Sequence, residues 1–139
     1  MNPTVPAVLA ELAGLCMRNA MPDVHPADRA SSLGLSAALL GVAAEVWDGM
    51  AARLVAENRA IRPLLARGEE VGLDLAVLAA GDDADLRLSA LKAGNDTLRA
   101  ALIELQAQAE AKGATDLQAA IWAELVASTE RRKLASSPV

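Results

Sequence analysis

Aromatic residues are almost absent from this chain, which has no Phe, no Tyr and only two Trp, Trp47 and Trp122. β-Sandwiches and barrels draw on aromatic and β-branched residues, which this sequence uses sparingly. Hydrophobic residues nevertheless make up 53% of the 139 residues. Most of them are Ala and Leu, the strongest helix formers among the apolar residues. The composition therefore predicts an all-α fold.

Cysteine and histidine each occur once, as Cys16 and His25. A lone Cys cannot form an intramolecular disulfide, and we take a reducing cytoplasm as the expected location. Zinc sites need several Cys or His ligands, and ferritin-type di-metal sites need a Glu-x-x-His motif on two helices. A catalytic triad would have to use His25, which we interpret as a local backbone or capping partner. We therefore expect no metal, no cofactor and no identifiable catalytic group.

Basic charge is also scarce, because the net charge is −5 and the pI is about 4.8. Nucleic-acid binding needs a basic face, so this class of partner is excluded. Arg131, Arg132 and Lys133 form the one basic run, which we assign to the negative end of a helix. The stretch 30–47 approaches the length of a membrane span, but Ser and Gly dilute it. The sequence therefore argues against a membrane span.

Heptad spacing predicts one long helix from about Ala27 to Arg67. The a and d positions of the heptads form an apolar stripe, called the seam below, which has two rows of residues. The first row is Leu33, Leu40, Trp47, Leu54 and Ile61. The second row holds Ser36, Ala43, Met50, Glu57 and Leu64. The first half carries a further apolar stripe, formed by Leu35, Leu39, Val42 and Val46. A helix that is apolar on two faces must be covered on both, by helix one, by another helix of the bundle or by a second subunit.

Three other main helices and one short helix follow from the apolar spacing and the stop signals. The predicted ranges are about Pro3–Asn19, Leu73–Ala80 within the 69–81 connector, Ala84–Lys112 and Asp116–Leu134. Gly94 is a weak point within the third main helix, whose apolar phase continues across it.

Particular residues are predicted to end and cap these helices. We expect Gly68 to cap the end of the long helix and Lys112-Gly113 to end the third main helix. Asp82 or Asp83 is expected to cap its start. Thr115 and Gln118 have the spacing of a capping box for the last helix.

Short connections between these helices predict an up-down-up-down four-helix bundle. It would form a single domain over residues 1–135, followed by a disordered polar tail at 136–139. At ~1.5 Å per residue the long helix would span about 60 Å, well beyond its neighbours. This difference in helix length predicts a homodimer, formed through the first half of the long helix, which is apolar on two faces.

Polar residues in two seams give the one candidate site. Glu57 and Asn95 occupy core positions on the second and third main helices, and antiparallel packing would bring Glu57 and Asn58 level with Asn95. Arg53, Arg62 and Arg99 lie near enough to join them. A carboxylate in an apolar seam must be paired, hydrogen-bonded or protonated.

This polar layer has two interpretations. It fixes the register of the helices, as single seam Asn residues do, or it forms a pocket for a polar or anionic small molecule. The leading hypothesis for the chain is a structural or interaction role through helix-mediated association. The alternative is a small-molecule binding or enzymatic bundle with a pocket around Glu57 and Asn95.

Overall fold

The computed structural model describes residues 5–20 and 27–135. These residues are 83% helical and contain no strand, so the all-α prediction is confirmed. Pro3, where the first helix was predicted to begin, His25 and the tail at 136–139 lie outside the described residues.

The helices follow the predicted order, and their ends shift by a few residues. The five α-helices are α1 Val5–Leu15, α2 Ala27–Leu65, α3 Ala76–Ala79, α4 Leu88–Ala111 and α5 Thr115–Arg131. A π-helical turn, Cys16–Ala20, follows α1, and a 3-10 turn, Gly68–Val71, follows α2. The long helix is therefore confirmed, and α4 runs through Gly94 without a break.

The chain divides into two compact units. Unit 1 comprises Met1–Met50 with Leu134–Val139, and unit 2 comprises Ala51–Lys133. The single domain predicted for residues 1–135 and the up-down-up-down topology stay predictions.

Unit 1 buries few of its apolar residues. Ala37 is the one buried residue among those of unit 1 whose side chains the structure describes. Its exposed large apolar side chains are Val5, Val8, Leu12, Leu15, Met17, Leu35, Leu39 and Trp47. Within α2, an 18-residue stretch has a mean hydropathy of 1.4 and is only 6% buried. By length and composition alone, this helix is apolar enough to cross a membrane.

Unit 2 contains the hydrophobic core. Its buried apolar residues come from the second half of α2, the 3-10 turn, α4 and α5: Ile61, Leu65, Val71, Leu98, Leu102, Leu105, Ala109, Leu117 and Ile121. On α4 these residues recur at three- and four-residue steps, which places them on one helix face. The same face continues into the buried Leu91 and Asn95.

Several predicted helix caps are wrong. No side chain caps α4, because Asp82 and Asp85 each accept a bond from a backbone N–H two residues on, within the preceding segment. Thr115 is the first residue of α5 rather than its cap, and the Gln118 side chain donates to the carbonyl of Ala109. For Asp82 a local hydrogen bond replaces the capping bond, whereas Gln118 bonds a carbonyl nine residues away.

Glycines at two positions match backbone requirements. Gly113 (φ 67°) follows Lys112, the residue that caps the end of α4, and lies in the left-handed region, as the stop signal predicted. Gly68 does not cap α2, because α2 already ends at Leu65 and Gly68 has no positive φ. Instead, a Cβ at Gly68 would lie 2.7 Å from the carbonyl oxygen of Leu73.

Gly68→Ala is expected to lower the free energy of unfolding by about 1–3 kcal/mol, the usual cost of overpacking a tight site. The reason is that backbone, not a flexible side chain, occupies the space of the new methyl group. Gly94→Ala is the matched control, because a Cβ there meets only Asn58 Nδ2, at 4.0 Å. In the interior of α4 it should add about 0.5–1 kcal/mol. Urea unfolding of both variants tests this difference in sign, and an equal effect would contradict it.

Candidate functional site

Glu57 is a buried carboxylate in unit 2 that connects three helices. It is 4% exposed on α2. Arg132 Nη2 donates to its Oε1 and Oε2 at 2.8 and 2.9 Å. Arg99 Nη1 on α4 and Ser128 Oγ on α5 donate to the same Oε1, the latter at 3.1 Å. Both carboxylate oxygens therefore have donors, from α4 and from the end of α5.

The surroundings keep Glu57 ionised. Burial alone would raise the pKa of Glu57, but hydrogen bonds and charges from Arg132 and Arg99 outweigh burial and hold it below its ordinary value. Charge-assisted hydrogen bonds of this kind are stronger than neutral ones. Both arginines remain partly exposed, which keeps their own desolvation cost small.

A second chain of hydrogen bonds begins at the neighbouring residue, Asn58, which is fully buried. Its Oδ1 accepts from Asn95 Nδ2 at 2.9 Å, and its Nδ2 donates to Asp83 Oδ1 at 2.7 Å. Because an ionised carboxylate can only accept, Asp83 fixes the orientation of the Asn58 amide. The two asparagines thus join α2 to α4, as antiparallel packing predicted.

Arg62 extends this series of hydrogen bonds with a bidentate ion pair. Its Nη1 and Nη2 each lie 2.8 Å from an oxygen of Asp83, and Nη2 also donates to the carbonyl of Asp82 at 3.0 Å. The hydrogen bond from Arg62 is the main cause that lowers the pKa of Asp83. The segment before α4 is therefore held against α2 by a carboxylate, and this carboxylate does not cap α4.

The structure brings together five of the six residues predicted for this layer. Arg62 joins it through Asp83, which accepts from both Arg62 and Asn58. Glu57 pairs with Arg99, and Asn58 pairs with Asn95. Arg53 is not among the donors to Glu57.

Sequence reasoning missed Ser128, Arg132 and the part that Asp83 plays in this layer. Ser128 lies seven residues after the buried Ile121, so the heptad spacing of α5 was the available signal. Arg132 was assigned to the helix end, whereas the structure pairs it with Glu57. Its neighbours Arg131 and Lys133 pair with Glu124 and Glu130.

Two open cavities lie at the Asp83 end of this network. The larger, about 580 Å³, is lined by Arg59, Arg62, Pro63, Ala66, Ala79, Gly81, Asp82, Asp83 and Ala84. The smaller, about 300 Å³, includes Leu91 and Gly94. Neither is lined by Glu57 or Asn95, so the predicted core of the layer does not open into them.

Among the described residues, no group of three or more His, Cys, Asp or Glu could hold a metal ion. Comparison with protein-family models, curated proteins and solved structures gives no match. The chemistry of the described residues is therefore the basis for any functional proposal.

Proposed function

We propose that this chain is a helical interaction protein that self-associates through the first half of α2. The observation that carries the proposal is the exposure of large apolar side chains there, with Leu35 62% and Leu39 59% exposed. Monomeric soluble proteins seldom leave an apolar surface of this kind uncovered. A second copy of the same helix offers the same surface, and two-fold association is the commonest way to cover it.

The polar layer supports this role indirectly. Its carboxylates are paired with arginines, and its two asparagines are hydrogen-bonded to each other. Such a layer fixes how α2, α4 and α5 pack within unit 2. The alternative, a small-molecule site around Glu57 and Asn95, has less support because these side chains are buried and already bonded.

Leu39→Glu is expected to weaken dimer formation at least about tenfold, because each dimer would bury two new carboxylates in an apolar contact. Size-exclusion chromatography with light scattering, on a concentration series of the full chain, measures the effect. Val77→Glu is the matched control, since it places the same charge on an exposed apolar position in unit 2.

The wild-type chain in the same experiment gives the results that would contradict the proposal. A wild-type chain that is a monomer at about 100 μM would contradict the dimer, because a stable interface gives tighter binding than this. Recovery of the chain only with membranes and detergent would instead favour lipid as the cover of α2.

A further inference from the structure

The second surface of interest lies within unit 2, where α4 and α5 form an apolar groove of about 140 Å³. Its lining residues are Arg99, Leu102, Ile103, Gln106, Ile121 and Leu125. Ile103 stands at its edge and is 73% exposed, and Trp122, directly after Ile121, is also exposed. The groove therefore combines an apolar depression with a projecting apolar side chain.

Gln106 leaves a buried acceptor in this groove. Its Nε2 donates to Glu110 Oε1 at 2.7 Å, whereas its Oε1 is buried and has no hydrogen-bond partner among the described residues. Rotating the amide would place Oε1 against the Glu110 carboxylate, so the orientation is set by Glu110. Buried carbonyl oxygens are normally bonded, so this acceptor is an exception, and it is already closed off within the single chain.

Two pairs of residues on α4 are placed symmetrically about one point of the helix. Arg99 and Glu110 lie symmetrically about the midpoint between Glu104 and Leu105, and Ile103 and Gln106 lie symmetrically about the same midpoint. In a two-fold contact, if residue i touches residue j of the partner, then j touches i. Antiparallel α4 helices centred on this point would place Arg99 opposite the partner's Glu110, and Ile103 opposite the partner's Gln106.

We propose that two copies of the chain associate through an antiparallel, two-fold contact between their α4 helices. Ile103 of each copy enters the groove of the other, and the charges at the two ends of the contact are opposite in sign.

This contact uses residues of unit 2 only, so it does not depend on association through α2. If both contacts form, each copy has two different partners, and the assembly is larger than a dimer. A variant at either surface then reduces the assembly without abolishing the other contact.

Ile103→Glu tests the contact in the full chain, because a residue this exposed tolerates the change without loss of the core. Sedimentation velocity over a concentration series should show association weakened at least about tenfold. Val77→Glu, on an 86% exposed position, is the matched control and should behave as wild type. Equal behaviour of the two variants would overturn the proposal.

The two tryptophans distinguish this contact from association through α2. In a Trp47→Phe background, Trp122 emission should shift to shorter wavelength as the protein concentration rises, and Ile103→Glu should abolish the shift. In a Trp122→Phe background, Trp47 should report on α2 and should keep its response in Ile103→Glu. A Trp122 signal that follows Leu39→Glu and ignores Ile103→Glu would overturn the α4 contact.

The predicted register is tested by cross-linking in a Cys16→Ser background, which removes the one native cysteine. Ile103→Cys mixed with Gln106→Cys should form more disulfide-linked dimer on mild oxidation than either variant alone, because a disulfide needs facing Cα atoms and identical positions are offset by three residues, ~4.5 Å along the helix. Equal or absent cross-linking in the mixture would overturn the antiparallel register.

Discussion

Glu57→Gln is expected to lower the free energy of unfolding by about 2 kcal/mol at neutral pH, the scale of a lost buried charge pair whose cations stay partly hydrated. Glutamine has the same shape, but it carries no charge, and the amide nitrogen that replaces one oxygen cannot accept a hydrogen bond. Arg99 and Arg132 would lose their shared anion, and Arg132 would lose one of its two acceptor oxygens. Urea unfolding followed by circular dichroism measures the change.

Glu70→Gln is the matched control for this prediction. It also removes a carboxylate that pairs with an arginine, Arg67, but this pair lies at the surface. Exposed ion pairs contribute about 0–1 kcal/mol, so the control should change stability far less. Similar losses in the two variants would show that burial and the three-helix connection add nothing at Glu57.

The pH dependence of stability distinguishes lost charge pairing from a packing defect at Glu57. Although burial opposes it, pairing with Arg132 and Arg99 holds the pKa of folded Glu57 below its ordinary value of 4.5. Its contribution is therefore fully present above the pKa of the unfolded chain, and is lost as the pH falls through the lower, folded pKa. The gap between wild type and Glu57→Gln should shrink below about pH 4.5. A gap that stays constant into acid would indicate a packing defect.

The helices were predictable because each depends on residues close together in the sequence. Heptad spacing predicted α2 to within two residues of its end, and the continuous apolar phase predicted that α4 passes through Gly94. Helix ends were less predictable. Asp82 and Asp85 accept from nearby backbone N–H groups, and these local bonds compete with capping.

The polar layer was predictable only in part, because only some of its residues lie within the apolar seams. Glu57, Asn58 and Asn95 interrupt apolar seams, and their conflict with the pattern was visible in the sequence. Arg132 and Asp83 follow no such pattern, because both lie outside the helical seams, Arg132 just after α5 and Asp83 before α4. The heptad rule also treated both halves of α2 alike. The structure places the hydrophobic core at its second half only, where α4 and α5 supply the facing residues.

Leu105→Ala is expected to cost about 3 kcal/mol, within the range of 2–5 kcal/mol for a Leu truncated in a closed core. Leu105 is 0% exposed and belongs to the core cluster with Ile61, Leu117 and Ile121. Leu39→Ala is the matched control, because it removes the same atoms from a helix interior and changes helix propensity equally. Since Leu39 is 59% exposed, it should cost less than about 1 kcal/mol in dilute solution.

Protein concentration then connects this comparison with association. The cost of Leu105→Ala should not depend on concentration, because its neighbours belong to the same chain. The cost of Leu39→Ala should grow as the chain is concentrated, because association that covers Leu39 stabilises the folded state by mass action. Thermal unfolding across a hundredfold range of concentration measures both. A Leu39→Ala cost that is large even at high dilution would mean that the chain itself buries this residue, and that α2 has no free face to offer a second copy.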